Sequence, residues 1–133
     1  MAASFKRAQE DREALHQALA SREILVVGLC AAWCNTCGEF FHNFEAVASD
    51  NVDATFLWLD IEDDADIAGD IDVENFPTLA IFERARPVHF GVSLPYTEHL
   101  RRLVRSIGSE APSTSVDPAV AGLPSLVNRW AAG

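Results

Sequence analysis

The sequence predicts an α/β domain in which helices cover both faces of a mixed central sheet. Ile24 to Cys30 is an unbroken apolar run rich in branched residues, the pattern of a strand buried on both faces rather than of a half-wetted one. Between this run and the later apolar runs lie segments with apolar residues at three- and four-residue spacing, so helices join the early strands, and strands joined through helices run parallel. The chain can support such an interior. Its 133 residues, 49% hydrophobic and 23% charged, have an ordinary globular composition, and a domain of this length removes roughly 65 to 70% of its unfolded surface from water. The three cysteines are therefore not needed as staples.

Taken in order, Phe5, Ala8, Leu15 and Leu19 fall near helical spacing among charges, predicting an amphipathic first helix from Ser4 to Ala20 with Ser4 as its cap. The buried strand Ile24 to Cys30 follows. Beyond Cys34, the recurrence of Cys37, Phe40, Phe41, Phe44, Val47 and Ala48 predicts a second helix to about Asp50, with Glu39, Asn43 and Glu45 on its wet face. Ala54 to Ile61 reads as a second buried strand, and Asp63 to Asp70 as a short acidic helix or turn. Thr78 to Phe82 and Val88 to Phe90 are close enough to pair as a hairpin through the Arg84 to Pro87 turn. Leu100, Leu103, Val104 and Ile107 mark a last helix with Arg101, Arg102 and Arg105 facing solvent, ended by Gly108.

This order defines a domain over residues 1–108. The remainder, 109–133, is a tail rich in Gly, Ser, Pro and Ala, and no internal repeat is present. Within the tail, Leu123, Leu126, Val127 and Trp130 follow an i, i+3, i+4, i+7 pattern, and Pro124 suits a first turn, so a short amphipathic helix is expected over 123–131. Such a helix is too short to persist alone in water; its apolar face must be buried against its own domain or dock on a partner protein.

Ten Lys plus Arg against twenty Asp plus Glu give a formal charge of −10, the wrong sign for neutralising phosphates or anionic lipid, so neither nucleic acid nor membrane is expected as a partner. The longest apolar stretch, Ile24 to Trp33, is shorter than the roughly 20 residues a spanning helix needs and follows an acid-containing segment, so no signal peptide is read and a cytoplasmic address is expected. Asp60, Glu62, Asp63, Asp64, Asp66, Asp70, Asp72 and Glu74 form an acidic run without one cation, expected to be mainly solvated surface, with Asp72 and Glu74 near enough to Pro77 to favour cationic targets.

Trp33-Cys34-Asn35-Thr36-Cys37 sits where the buried strand gives way to a helix, a context that makes a C-x-x-C informative. A cysteine at a helix N-terminus meets the positive end of the helix and its unsatisfied N–H groups, which suits Cys34 to nucleophilic attack on a disulfide. Cys37, one turn further on the same face, can displace the substrate from the mixed disulfide. Cys30 on the buried strand reads as a small core residue. A zinc site built from Cys30, Cys34, Cys37 and His42 is the rival use of these residues. It would require a strand residue and a residue more than a turn down the helix to converge on one tetrahedral centre, so no metal and no cofactor are expected.

The W-C-x-x-C segment and, forty residues beyond its second cysteine, Phe76-Pro77-Thr78 opening a strand make the chain resemble the thioredoxin family over roughly residues 5 to 108. The resemblance implies a thioredoxin-like fold and a thiol-disulfide oxidoreductase, with Cys34 and Cys37 as the catalytic pair and Asn35-Thr36 as the active-site dipeptide. It implies that Pro77 is cis, with its loop against the cysteines, and that Trp33, Phe76 and Pro77 contact bound substrate. Gly91 resembles the family's glycine between last strand and last helix. Disulfide-containing proteins would be the substrates, and a reductase or small thiol would recycle the enzyme. The departures are physical as well: the family's buried Asp and its Lys partner are replaced by Gly28 and Trp58, and His42 stands where the second helix is commonly kinked by proline. His42 either supplies some of the lost proton transfer or is an ordinary exposed helix residue. Thr36 either bonds a thiolate or simply tolerates the first helical turn. The reading this favours is reduction of protein disulfides; the alternative is a binding module or assembly chaperone that keeps the fold with little redox turnover.

Overall fold

Strand β2, Ile24–Cys30, lies at the centre of the sheet: β3, Ala54–Asp60, runs parallel along one edge and β4, Thr78–Glu83, antiparallel along the other. With both edges paired and Leu25 through Cys30 all buried, its apolar run has no wet face to supply. Strand β5, Arg86–Val92, closes the hairpin with β4 through a bulge between Ile81 and Phe82. Strand β1, Ser4–Phe5, runs parallel to β3 and completes the order β1-β3-β2-β4-β5. The computed structural model describes residues 4–5, 12–21, 23–31, 34–50, 54–62, 64–68, 71, 76–84, 86–92, 96–107 and 118–132.

The first helix, α1, begins at Arg12 and ends at Ser21, not at Ser4. Ser4 and Phe5 instead meet Phe56 and Leu57 across the outer edge of β3. A strand as buried as β3 leaves a costly row of unpaired N–H and C=O groups along an open edge, and this demand overrides the helical spacing of Phe5 relative to Leu15.

Helices sort the interior into two cores. On one face, α2, Asn35–Asp50, and α4, Thr97–Ile107, cover Val26, Phe56, Leu79 and Ile81 with Phe40, Phe44, Val47, Leu100 and Val104. Arg101 of α4 donates to the Asp50 carboxylate at 2.9 Å, tying the far end of α2 to α4. On the other face, Leu25, Val27, Leu29, Leu57, Leu59 and Phe82 meet Leu15 of α1, Ile67 of the short α3, Ala65–Ala68, and the C-terminal helices.

Those C-terminal helices are α5, Pro118–Ala121, and α6, Leu123–Ala132, and α6 lies against α1 and α3. Leu123 and Val127 are fully buried, Ala131 is buried, and Trp130 packs against the same cluster. A partner protein cannot dock through Leu123, Leu126, Val127 and Trp130 as a free face, because the domain itself covers most of it. The reason is the other surface of the sheet: Leu25, Leu29 and Phe82 share one buried cluster with Leu15, Ile67, Leu123 and Val127, so α6 completes the layer that α1 and α3 begin. Among the described residues, no helix is long and apolar enough to cross a membrane.

Leu123→Ala should accordingly lower stability by about 2 to 5 kcal/mol, the usual cost of emptying a fully buried leucine site, measured by denaturant unfolding; an unchanged midpoint would show that α6 is not part of the cooperative unit. A second expectation concerns His89 on β5, whose Nε2 is buried without a hydrogen-bond partner and whose pKa is lowered from 6.5, first by burial and then by His99. The folded state resists this proton while the unfolded chain accepts it, so the stability present above pH 6.5 is lost as pH falls through the depressed folded value. Melting temperatures between neutral and mildly acidic pH should fall less steeply in His89→Phe than in the natural chain; identical slopes would remove His89 from the account.

Candidate active site

All the chemistry-bearing segments converge on one end of the sheet. Strand β2 ends at Cys30, the chain turns with the Cys34 N–H donating to the Ala31 carbonyl at 3.0 Å, and α2 starts at Asn35. Cys34 thus occupies the cap position, half-exposed, beside backbone N–H groups that the helix itself leaves unpaired. Asn35 and Thr36 are exposed on the first turn, and Cys37 is buried one turn in. The antiparallel register sets Thr78 opposite Leu29, so the Phe76-Pro77 segment reaches the same end, half-buried at Phe76 and buried at Pro77. The Phe76–Pro77 peptide bond is cis. Trp33 lies outside the described residues.

Cys30 corrects the expectation of an inert core residue. It is 1% exposed, but its sulfur is bonded to that of Cys37, with Cα atoms 5.9 Å apart, and Cys34 is the free thiol. Cys30 shares its face of β2 with Val26 and Gly28, the face that α2 covers, so the strand's alternation delivers its sulfur directly to the first turn of the helix. The seven-residue separation was visible in the sequence. What it lacked was the strand's facing, which decides whether Cys30 points toward α2 or away.

Two other residues lie at this end, Asp60 of the acidic run and Val92, which the sequence pattern did not single out. Asp60 is the register partner of Cys30 on β3, so its side chain leaves the sheet on the same face, yet it is only 8% exposed. Its Oδ1 accepts the Glu62 N–H at 2.8 Å, and its own N–H donates to Asp64 Oδ2 at 3.0 Å. The acidic run is thus not wholly solvated surface: Asp60 and Asp64 are buried and engaged with the turn's backbone, Glu62 and Asp66 are exposed, and Asp63, Asp70, Asp72 and Glu74 lie outside the described residues. Val92 pairs with Thr78 and is 56% exposed, an apolar side chain at the cysteine end of β5. Gly91, expected between strand and helix, is inside β5 opposite Leu79. His42 is exposed on α2, its ring against Phe41. No group of three or more His, Cys, Asp or Glu among the described residues could hold a metal ion.

Behind the cysteines the site is apolar. Gly28 and Trp58 are register partners, and a Cβ on residue 28 would lie 2.9 Å from Trp58 Cε3 and 3.3 Å from Phe44 Cε2. The indole fills the space that the missing side chain leaves, tilted against Phe40 and edge-to-face with Phe41 and Phe44 at centroid distances of 5.8, 5.0 and 5.5 Å.

A parallel-antiparallel sheet with helices on both faces and a cysteine pair at the strand-to-helix junction defines a domain built for thiol-disulfide exchange. The comparisons with known proteins agree. The Thioredoxin family model matches residues 6–105. Thioredoxin of Echinococcus granulosus is 32% identical over 75 residues, covering 56% of this chain and 70% of that protein. Thioredoxin of Mus musculus is 30% identical over 81 residues, covering 59% and 77%. Among solved structures, a mutant thioredoxin from Halobacterium salinarum NRC-1 superposes with a TM-score of 0.61 at 23% identity, covering 74% of this chain and 87% of that one. Oxidised thioredoxin from Plasmodium falciparum does so at 0.61 and 14% identity, covering 82% and 100%. The chain belongs to the thioredoxin family, and thiol-disulfide oxidoreductase chemistry in general comes with that membership.

The tight Gly28–Trp58 contact yields a prediction. Gly28→Ala should cost about 1 to 3 kcal/mol by forcing the aromatic cluster apart, and Gly28→Asp about 2 to 4 kcal/mol, because the new carboxylate would be buried without a cation. Thermal unfolding measures both; an unchanged melting temperature in either would mean that position 28 is wet or loosely packed.

Proposed function

We propose that this protein reduces protein disulfides through a Cys34 and Cys37 dithiol, and the observation that carries the reading is the division of exposure between them. Cys34 is half-exposed at the start of α2 and able to meet a substrate, whereas Cys37 is 3% exposed and placed to act only within the protein. In the reduced enzyme, the Cys34 thiolate attacks one sulfur of the substrate disulfide and releases the other as a thiol. Cys37 then attacks Cys34 Sγ, forming the Cys34–Cys37 disulfide and releasing the second substrate thiol. Phe76 and Pro77 border the same end of the sheet, which supports a substrate backbone lying along them, with Asn35 and Thr36 exposed beside it; the family resemblance adds Trp33 as a further substrate contact.

Cys37 must lose its proton in a setting where residue 28 offers no carboxylate and Trp58 no ammonium. Water or a more distant base must serve, which makes resolution slower than in a standard thioredoxin. A reducing cytoplasm suits the direction of electron flow, with a reductase or small thiol returning the enzyme to its dithiol form. Residues 1–108 would form the catalytic unit, with 109–133 as an appended segment that braces it.

Substitution separates the roles. Cys34→Ser should abolish turnover on a generic disulfide substrate, while Cys37→Ser should accumulate a covalent adduct through Cys34 that is visible by non-reducing electrophoresis and mass spectrometry. In the fully reduced natural protein, brief alkylation should reach Cys34 before Cys37. Faster labelling of Cys37 would reverse the assignment, and a cysteine pair that never cycles would leave the binding-module reading.

A further inference from the structure

We infer that the three cysteines form a relay, with Cys30 as the final electron donor, so that the resting oxidised state is the buried Cys30–Cys37 disulfide with Cys34 restored as a free thiol. The inference rests on the proposed disulfide reduction and extends it by one step. Cys37 is the shared member of two possible bonds. It stands one helical turn from Cys34, the spacing of the catalytic pair, and it is bonded to Cys30 across the strand-helix junction. A sulfur that can bond on either side is the middle of an exchange chain, and each transfer needs only a thiolate next to an existing disulfide.

The balance is complete. After the substrate has left as two thiols, Cys34 and Cys37 are joined. The Cys30 thiolate attacks Cys37 Sγ, a Cys30–Cys37 bond forms, the Cys34–Cys37 bond breaks, and Cys34 departs as thiolate. Across the whole sequence, Cys30 and Cys37 give up two electrons and two protons, the substrate disulfide gains them, and Cys34 ends as it began.

Burial gives the last transfer its consequence. Cys30 and Cys37 are 1% and 3% exposed, so an external thiol cannot easily reach their bond. Return to the dithiol state runs backwards through Cys34, which attacks Cys37 and brings the disulfide to the half-exposed position where a dithiol reductant can meet it. A two-cysteine enzyme has no nucleophile once oxidised. This one keeps Cys34, so the nucleophile for the return step lies within the protein.

The test uses the full chain, reduced, freed of reductant and treated with one equivalent of 2-hydroxyethyl disulfide. The remaining thiols are blocked by alkylation under acid quench, and the peptides are mapped. The relay predicts alkylated Cys34 with Cys30 and Cys37 linked; a Cys34–Cys37 link with alkylated Cys30 overturns it while leaving the proposed reduction standing. Three alkylated cysteines would instead mean that the protein does not oxidise, and both readings fall. As a second measurement, the oxidised Cys34→Ser protein should be reduced by dithiothreitol at least about tenfold more slowly than the natural protein, since its buried disulfide has lost its gate. Equal rates would contradict the relay.

Discussion

A strand buried on both faces can present chemistry only where it stops. Strand β2 is held between β3 and β4 and covered by α2 on one side and by α1 and α6 on the other, so it opens only at its ends, and the turn after Cys30 is the end that leads to the cysteines. Everything reactive among the described residues follows from that constraint. The turn delivers Cys34 to the cap of α2, the alternation of β2 aims Cys30 at Cys37, and the two neighbouring registers bring Asp60 and the Phe76-Pro77 segment to the same level. The rigidity of the central strand is what allows sulfur atoms from two elements to meet.

The same strand explains how the site does without a buried ion pair. A carboxylate and an ammonium inside a core return their desolvation cost only with good geometry and full hydrogen bonding. Gly28 and Trp58 remove the problem by making the wall apolar, with the indole seated where a side chain on residue 28 would have been. The exchange trades a proton carrier for packing. Buried carboxylates remain at the turn after β3, where Asp60 and Asp64 accept from backbone N–H groups.

Much of this was legible in the sequence, for reasons that differ by element. The run from Ile24 to Cys30 and the three- to four-residue spacing from Cys37 to Ala48 are strong local signals, and the strand and helix they predict occur within a residue or so of their expected bounds. The β4–β5 hairpin was equally plain. Local pattern misled at Ser4 and Phe5, because the edge of β3 that recruits them is created only by the fold. It misread Cys30 as an inert core residue, since an apolar run buried on both faces carries no alternation from which to tell one face from the other. It left α6 undecided between its own domain and a partner, because the face that needs covering belongs to a sheet assembled from distant strands.

The central claim is that this chain moves two electrons between substrate disulfides and its own cysteines while keeping one thiol in play. Free thiols counted after equilibration across a series of glutathione redox buffers test it most directly. The account predicts a fall from three thiols per chain to one, in a single two-electron transition in which each tenfold change in the oxidised-to-reduced ratio spans about 30 mV. A count that stays at three at every potential, or that stops at two with glutathione held on Cys34, would contradict it.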